Sequence, residues 1–484
     1  MYLPGVVFSS PLFLFLYLPF VLLAYAIAPW RLRNAILLVA SLLFYAWGET
    51  EYVAVMLLSI LANFGFAVWI GRARGTPHAK LALALSIAFD LGLLVWFKYA
   101  VWAFRNVAAL LGALGADPAI LGQEPRIHLP LGISFYTFHA MSAVIDVYRG
   151  DARVPRKLLD FGLYIACFPQ LVAGPIIRYE DVADQIERRR VTFEGFALGV
   201  RRFVIGLGKK VLLANTIAAL VDEAFAVPTE HLSSGAARLA LVGYALQIYF
   251  DFSGYSDMAI GLGRMFGFVY RENFDHPYAS KSITEFWRRW HISLSTWFKN
   301  YLYIPLGGNR GSPARTYLNL VVVFLLVGLW HGAAWQFVAF GAFHGSMMIL
   351  ERAGLARILE ASPVVVRRLY FGAAVLVGWS FFRAESVPQA LDLVATAARP
   401  FDASSSPYPA AIFLDRSRWI ALAVGFVLAF PWSAAIARVR ERRASPALTA
   451  GFELASGAAL LLVLAGSLLS VASGAYNPFI YFRF

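Results

Sequence analysis

The stretch "LALALSIAFDLGLLVWF", residues 81–97, carries a single charged side chain, Asp90. Comparable apolar runs recur along the whole chain, at 11–29, 34–48, 52–70, 211–228, 316–330, 366–382 and 450–472. Several are long enough, or nearly so, to cross a hydrocarbon core of about 30 Å as helices of about 20 residues. The runs are continuous, whereas a membrane β-barrel needs short alternating strands. The sequence therefore predicts an all-α polytopic membrane protein.

The composition agrees with this class. Of 484 residues, 60% are hydrophobic and only 15% are charged, whereas about a quarter are charged in a soluble domain. The net charge of +13 comes mostly from short connections, so it predicts cytoplasmic loops and not nucleic-acid binding. The single cysteine, Cys167, excludes an intramolecular disulfide and a site with several cysteine ligands.

The distribution of basic residues predicts the topology. Basic connections, predicted to be cytoplasmic, lie at 31–33, 72–80 and 149–157. Connections without a basic excess, predicted to be external, lie at 49–51 and 115–128. Each crossing moves the chain to the opposite side of the membrane. These assignments therefore favour one long or broken crossing over 81–114, interrupted at Lys98, and one more crossing over 129–148.

Residues 158–177 differ from the other runs, because basic residues flank them on both sides. Pro169, Gly174 and Pro175 also break a helix there. We expect a re-entrant segment that borders a cavity, since irregular backbone is tolerated at membrane depth only where protein or a water-filled cavity shelters it. The charged stretch 178–210 predicts an amphipathic helix on the anionic inner surface, which is compatible with docking a phosphate-bearing ligand.

Polar residues inside membrane segments are functional candidates by default because they cost free energy. The first cluster is "QIYFDFSGYSDMAIG", residues 247–261, with Asp251, Tyr255 and Asp257. Two interpretations remain open for it. The polar side chains either bond neighbouring helices to each other or position a substrate.

The second cluster is "EFWRRWHISLSTWFKNYLYIPLGGNRG", residues 285–311, with Arg288, Arg289 and His291 among tryptophans. An interfacial belt of aromatic and basic residues explains the tryptophans, but it explains His291 less well. On a helix, His291 would lie within one turn of Arg288 and Ser295. The glycine-rich end of this stretch predicts a flexible basic turn.

The third cluster, "GLWHGAAWQFVAFGAFHG", residues 328–345, holds two histidines. On one straight helix, His331 and His344 would point to different faces about 20 Å apart along the axis, so they could not share a site. Gly332 or Gly345 could break that helix. His331 is the better chemical candidate, and His344 suits a helix contact.

Several kinds of active site are not predicted. The eight histidines are scattered, with no HExxH and no cysteine partners, so no metal site is expected. Neither a GxSxG nucleophile turn nor a GxxxxGK[ST] phosphate loop occurs. A histidine general base in a cavity suffices to move an acyl group from a thioester to a hydroxyl, and a thiolate of parent pKa about 8.5 leaves readily.

Long ordered blocks of the chain resemble the membrane-bound O-acyltransferase family, and within it the bacterial branch that serves alginate O-acetylation. The blocks are "VFSSPLFLFLYLPF", "LPLGISFYTFHAMSAVIDVYRG", "FPQLVAGPIIRYED", "QIYFDFSGYSDMAIGLGRMFGF", "NFDHPYASKSITEFWRRWHISLSTWFKNYLYIPLGGNRG", "GLWHGAAWQFVAFGAFHG" and "NPFIYFRF". The resemblance is nearly full length. It implies a single domain over 1–484, with roughly 11 transmembrane helices and re-entrant segments around a funnel.

The resemblance also implies a chemistry. The conserved histidine of the family falls on His331, and the second polar residue of the bacterial branch falls on His291. The implied donor is cytoplasmic acetyl-CoA, with no bound cofactor. Its phosphates would dock near the basic candidates Arg178, Arg188, Lys209 and Arg310. Candidates for positioning the substrate are Asp251, Tyr255, Asp257, Arg288 and Arg289.

We therefore expect an acetyltransferase of the bacterial inner membrane that modifies an exported polysaccharide. Its expected partner is a periplasmic SGNH-type acetyltransferase or a related modification protein, with membrane lipid around it and no nucleic acid. One alternative is export of D-alanine from a carrier-protein thioester to a cell-envelope polymer. A second alternative is transport of a polysaccharide precursor without acyl chemistry.

Overall fold

The computed structural model describes residues 7–400, 407–432, 446–474 and 476–478. Within these ranges the chain is helical and forms no strand, apart from an isolated bridge between Leu232 and Tyr408. The all-α prediction is thus confirmed for this part of the chain. The last quoted block lies mostly outside the described residues, which include only its first two positions.

The helices fall into a first half, a central helix and a second half. In the first half they are Leu18–Ile27, Trp30–Gly48, Val53–Arg72, Pro77–Leu94, Ala100–Ala113, Ile133–Arg149, Leu158–Ala166, Phe168–Leu171, Tyr179–Arg188, Phe193–Gly208 and Asn215–Ala226. The central helix is Ser234–Met265. In the second half they are Ile283–Arg289, Ile292–Phe298, Pro313–His331, Trp335–Leu350, Ala356–Ala361, Val364–Arg383, Val387–Ala398, Arg416–Leu428 and Pro446–Ala472.

Wider π-helical turns continue or join some of these helices. They are Phe13–Tyr17, Val95–Tyr99, Lys209–Ala214, Lys299–Tyr303 and Glu351–Leu355. Short 3₁₀ turns occur at Pro118–Leu121, Thr229–His231, Pro277–Ala279 and Ala410–Phe413.

Six helical segments of the described chain are long and apolar enough to cross a membrane. They are Val53–Arg72, Pro77–Ala113, Phe193–Ala226, Pro313–His331, Val364–Arg383 and Ala450–Ala472. The expected count of roughly eleven crossings therefore stays a prediction. The long segment expected over 81–114 is confirmed as Pro77–Ala113, and the π-helical turn within it contains Lys98.

The expectation of one surface helix over 178–210 is wrong for its second half. Only Tyr179–Arg188 forms a separate amphipathic helix. Phe193–Gly208 instead continues through Lys209–Ala214 into the apolar helix that follows. Close packing against the central helix is the physical reason, because it buries one face of this segment inside the protein.

Glycines allow that close packing. A Cβ at Gly206 would lie 2.5 Å from the carbonyl oxygen of Gly254, and one at Gly261 would lie 2.6 Å from that of Gly199. Small residues at such contacts let two backbones approach, as is common between membrane helices. The central helix spans 32 residues and is buried over most of its length, so it forms the axis of the fold.

The predicted break within 158–177 is confirmed. Leu158–Ala166 has nine residues, or about 14 Å of helix, which is too short to cross a hydrocarbon core. Phe168–Leu171 adds a single turn, and irregular backbone follows. Residues 161–179 are nevertheless buried, so protein shelters this backbone.

Of the two possibilities left open for 331–344, the straight helix is wrong and the break at Gly332 is confirmed. One helix ends at His331, Gly332 is extended with φ −166° and ψ 151°, and the next helix starts at Trp335. The two helices then pack closely, because Gly328 and Gly341 face each other: a Cβ at Gly328 would lie 3.2 Å from the Cα of Gly341. This hairpin places His331 at the end of a helix, with its ring inside the protein.

Candidate functional site

His331 lines a cavity of about 400 Å³, called the His331 cavity below. Its polar lining includes Lys98, Ser134, Glu49 and His128. Glu49 accepts a hydrogen bond from the backbone of Leu131 at 3.2 Å, and both its oxygens lie 3.2 Å from Nε2 of His128. The cavity therefore runs from the buried histidine to a polar region at Glu49 and His128, and the side chain of His128 is 42% exposed.

Neighbouring side chains fix the end of the helix that carries His331. Lys98 Nζ donates to the carbonyl of Trp330 and lies 3.4 Å from the carbonyl of His331. The hydroxyl of Tyr99 donates to the carbonyl of Leu329 at 2.7 Å. The last carbonyls of an α-helix lack partners within the helix, so both side chains satisfy groups that would otherwise remain unpaired.

His291 lies at a break between two short helices, Ile283–Arg289 and Ile292–Phe298. The expectation that it sits within one continuous helix is wrong, although its carbonyl still accepts from the backbone of Ser295 at 3.1 Å. Its φ of 44° is in the left-handed region, which is uncommon for residues other than glycine. Such conformations persist only where the surrounding structure holds them.

Asn273 is what holds His291 in this conformation. Its backbone carbonyl accepts from the backbone of Ile292 at 2.9 Å, and its side-chain oxygen accepts from the hydroxyl of Ser293 at 2.9 Å. The same oxygen lies 3.3 Å from Nδ1 of His291. Asn273 therefore sets both the backbone and the ring of the histidine.

The structure brings the two predicted catalytic residues together around Trp330. The indole centroid lies 5.0 Å from that of the His331 ring and 5.9 Å from that of the His291 ring. Three polar atoms here are buried without a hydrogen-bond partner among the described residues: Nδ1 of His331, Nε2 of His291 and Nε1 of Trp330. Since buried polar groups are nearly always paired, this arrangement suits a polar ligand or substrate.

A second, smaller cavity of about 80 Å³ lies beside His291, and we call it the Arg178 cavity. Ser293, which bonds Asn273, lines it together with Arg178 and Arg271. The buried stretch 172–178 separates the two cavities, because Val172 lines the first and Pro175–Arg178 line the second. One cavity therefore contacts His331, and the other lies beside His291, on the opposite side of the stretch 172–178.

His344 has a different environment from His331. Its Nδ1 accepts from the indole of Trp287 at 3.3 Å, and its Nε2 lies against Gly378. The ring of Phe340 contacts both histidines, with centroids 5.8 Å from His331 and 4.6 Å from His344. The broken helix therefore brings His344 closer than expected, but its contacts are those of a packing residue.

The candidates on the central helix lie in contacts with neighbouring segments. Asp251 forms a deeply buried ion pair with Lys210. Asp257 pairs with Lys209 at 2.7 Å and with Arg202 at 2.6 Å. Tyr255 stacks on Phe8 with centroids 4.5 Å apart. Of the two interpretations left open by the sequence, these contacts favour bonding between helices.

The basic candidates divide in two groups. Arg178 is buried and paired with Glu180 and Asp181, Lys209 is held by Asp257, and Arg289 pairs with Glu285 and Asp275 at 3.1 Å. Arg188, Arg288 and Arg310 are exposed. Arg178 remains at the Arg178 cavity, so a phosphate there would have to compete with its carboxylates. Arg188 and Arg310 are more accessible to a ligand.

Sequence reasoning missed several residues of the site. Asn273 and Ser293 were not singled out, and Lys98 was noted only as an interruption of a helix. Lys98 did carry a signal, since a lone cation in an apolar run is costly. Asn273 carried none, because its role depends on the conformation of His291.

Within the described residues no group of three or more His, Cys, Asp or Glu side chains could hold a metal ion.

Replacing Asn273 should impair the site without removing either histidine. We expect Asn273→Ala to lower kcat for the expected reaction at His331 by about 10- to 100-fold, because a displacement of about 1 Å in a catalytic group can cost that much. Asn63→Ala is a matched control, since Asn63 is a buried asparagine bonded to Asp90 at 2.9 Å elsewhere. Equal kcat losses in both variants, per folded protein, would contradict the role given to Asn273.

The fold and the site define a class: a polytopic membrane enzyme with a buried histidine pair between two cavities. A model of the membrane-bound O-acyltransferase family matches residues 81–387. The chain belongs to this family, and it is a multi-pass membrane O-acyltransferase.

Named relatives cover most of the chain. The probable alginate O-acetylase AlgI of Azotobacter vinelandii is 40% identical over 512 residues, which cover 99% of this chain and 100% of the relative. The corresponding protein of Pseudomonas putida is 40% identical over 498 residues, with the same shares covered. The peptidoglycan O-acetyltransferase of Helicobacter pylori is 33% identical over 422 residues, covering 80% of this chain and 79% of that one.

Proposed function

We propose that the protein moves an acetyl group from cytoplasmic acetyl-CoA across the bacterial inner membrane for O-acetylation of an exported polysaccharide. The observation that carries this proposal is the trio of unpartnered polar atoms at His331, His291 and Trp330, between two cavities. A thioester carbonyl and an acceptor hydroxyl are the polar groups that such a site would pair.

Charge supports the direction of transfer. Arg178 and Arg271 line the smaller cavity together with Asp181 and Glu272. The cavity lies beside the helix Tyr179–Arg188, which ends at the first of three consecutive arginines, 188–190, and which we assign to the cytoplasm. The His331 cavity reaches Glu49 and His128, which belong to the connections 49–51 and 115–128 that we assign to the outside. The donor would then reach the histidines from the cytoplasm, and the acceptor would reach them from the periplasm.

The residues of the site suggest a balanced transfer step. His331 accepts the proton of the acceptor hydroxyl while that oxygen bonds to the carbonyl carbon of the thioester. The carbon–sulfur bond then breaks, and the sulfur leaves as a thiolate that takes the proton from His331. The indole N–H of Trp330 can only donate, so it suits the oxyanion of the intermediate. His291 can donate from Nε2 only as the imidazolium, because its Nδ1 faces the side-chain oxygen of Asn273, which accepts.

The size of the Arg178 cavity sets a condition on this proposal. A volume of about 80 Å³ is well below the roughly 300–1,000 Å³ of ordinary ligand sites. The arm of the donor therefore has to widen this cavity to reach His291. Arg188 and Arg310, both exposed, are the proposed contacts for the phosphates.

The acceptor side rests on the relatives. Relatives named for alginate and for peptidoglycan O-acetylation support an acetyl group as cargo and a cell-envelope polysaccharide as its destination. The polar region at Glu49 and the exposed His128 is where a periplasmic partner of the SGNH type would deliver its hydroxyl. That partner would carry the acetyl group onward to the polysaccharide.

The test is thioester consumption by the purified protein in lipid nanodiscs. Radiolabelled acetyl-CoA and a D-alanyl carrier-protein thioester are supplied in parallel, with a purified periplasmic SGNH-type acetyltransferase as acceptor. We expect release of CoA and label on the acceptor only with acetyl-CoA. Consumption of the D-alanyl thioester alone would replace the acetyl proposal. Consumption of neither would favour transport without acyl chemistry.

A further inference from the structure

The π-helical turn Val95–Tyr99 holds the helix end that carries His331. Lys98 and Tyr99, consecutive in the chain, bind the carbonyls of three consecutive residues, Leu329, Trp330 and His331. We propose that Lys98 is a positioning residue for the transfer reaction and that Tyr99 assists it. This inference rests on the proposed function, since it concerns the same His331.

A charged side chain at the position of Lys98 costs free energy, whereas an apolar side chain could fill the same space without that cost. Lys98 lies within the apolar segment Pro77–Ala113, and a charged side chain inside a membrane helix costs free energy. Within the described residues its hydrogen-bond partners are all neutral oxygens, the third being the hydroxyl of Ser134 at 3.4 Å. Compensation comes instead from the helix end, whose carbonyls carry a partial negative charge.

The donors of Lys98 are already in use. An ammonium group has three N–H donors, and Lys98 has three oxygen partners, in Trp330, His331 and Ser134. It lines the His331 cavity, but it would have to release one of these oxygens to bind a substrate. Its contacts therefore indicate that it acts through the helix end and not on the substrate.

The residues that it fixes are those of the site. The carbonyls that Lys98 binds belong to Trp330 and His331, whose ring nitrogens are among the unpartnered atoms. The helix stops at His331, so no further helical turn holds it in place. Without Lys98 the last residue of this helix would be free to turn, and the ring of His331 would lose its fixed direction.

Four variants in nanodiscs test the proposal, with radiolabelled acetyl-CoA as the probe. Lys98→Met removes the donors at similar length, Lys98→Arg restores them, and Tyr99→Phe removes only the bond to Leu329. Tyr17→Phe is the matched control, because Tyr17 donates to the carbonyl of Ala40 at 2.8 Å in another part of the fold.

We expect Lys98→Met to lower kcat by about 10- to 100-fold with an unchanged KM for acetyl-CoA. Lys98→Arg should recover part of that loss, and Tyr99→Phe should lose less. The Tm of Lys98→Met should fall no further than that of Tyr17→Phe. An unchanged kcat per folded protein would show that Lys98 only caps the end of the helix and has no effect on the reaction. A higher KM with normal kcat would make it a substrate ligand, and either result overturns the proposal.

A labelling measurement keeps the test independent of turnover. Diethyl pyrocarbonate modifies accessible imidazoles, and mass spectrometry compares His331 with His128 in the same cavity. We expect the ratio of the two labelling rates to change in Lys98→Met and to stay constant in Tyr17→Phe. A constant ratio in both variants would refute the positioning role, even if the wild type consumed no acetyl-CoA. Absence of turnover in the wild type with a changed ratio would instead refute only the proposed function.

Discussion

His331→Ala should abolish most transfer while leaving the protein folded. A positioned general base contributes about 100- to 10,000-fold, so we expect kcat for acetyl transfer to fall within that range. The ring lies at the wall of its cavity and at the end of a helix, so its removal leaves the hairpin intact. The measurement is release of CoA and transfer of label from acetyl-CoA at saturating donor, normalised to folded protein.

The same hairpin supplies the control for this prediction. His344 is also a buried histidine on the helix that follows, but it is bonded to Trp287. His344→Ala should lower Tm, because it leaves a space in a packed aromatic cluster, and should keep most of the activity per folded molecule. Equal and complete loss in His331→Ala, His291→Ala and His344→Ala, with normal folding, would show that the three histidines act as one unit.

The class of fold could be predicted because it depends on local features of the sequence, namely the length of apolar runs and the positions of helix breakers. Apolar length gives Pro77–Ala113 as one long segment, and the helix breakers at Pro169 and Pro175 give the irregular stretch before Arg178. Packing between helices could not be read in this way. Phe193–Gly208 was predicted to be a surface helix because of its charged residues. The glycines that allow its other face to pack against the central helix give no such signal in the sequence.

The site shows the same division. His331 and His291 were identified from the cost of polar groups in a membrane together with a family resemblance. Their relation required backbone detail: the extended Gly332 ends the helix, and the left-handed His291 turns the chain. A periodicity argument that assumes unbroken helices cannot find such turns. Gly332 stood out only as a possible helix breaker, so neither the proximity of His344 nor the role of Asn273 could be predicted.

Asp251→Ala should be the most destabilising single change on the central helix. Its carboxylate and the ammonium of Lys210 are almost completely buried, with side chains 4% and 3% exposed. Removing one partner of a buried pair leaves an uncompensated charge, at a cost of about 3–5 kcal/mol. We expect a marked loss of Tm and of monodisperse protein in detergent.

A double variant separates the two roles left open for Asp251. Replacing both partners, as in Asp251→Leu with Lys210→Met, removes the charges together, and such replacements are often neutral in stability. If Asp251 only bonds the helices, the double variant should recover both Tm and kcat. If it positions the substrate, Tm should recover while kcat stays low. We expect the first result, because Asp251 is held against Lys210, whereas the unpartnered atoms of the site belong to His291, His331 and Trp330.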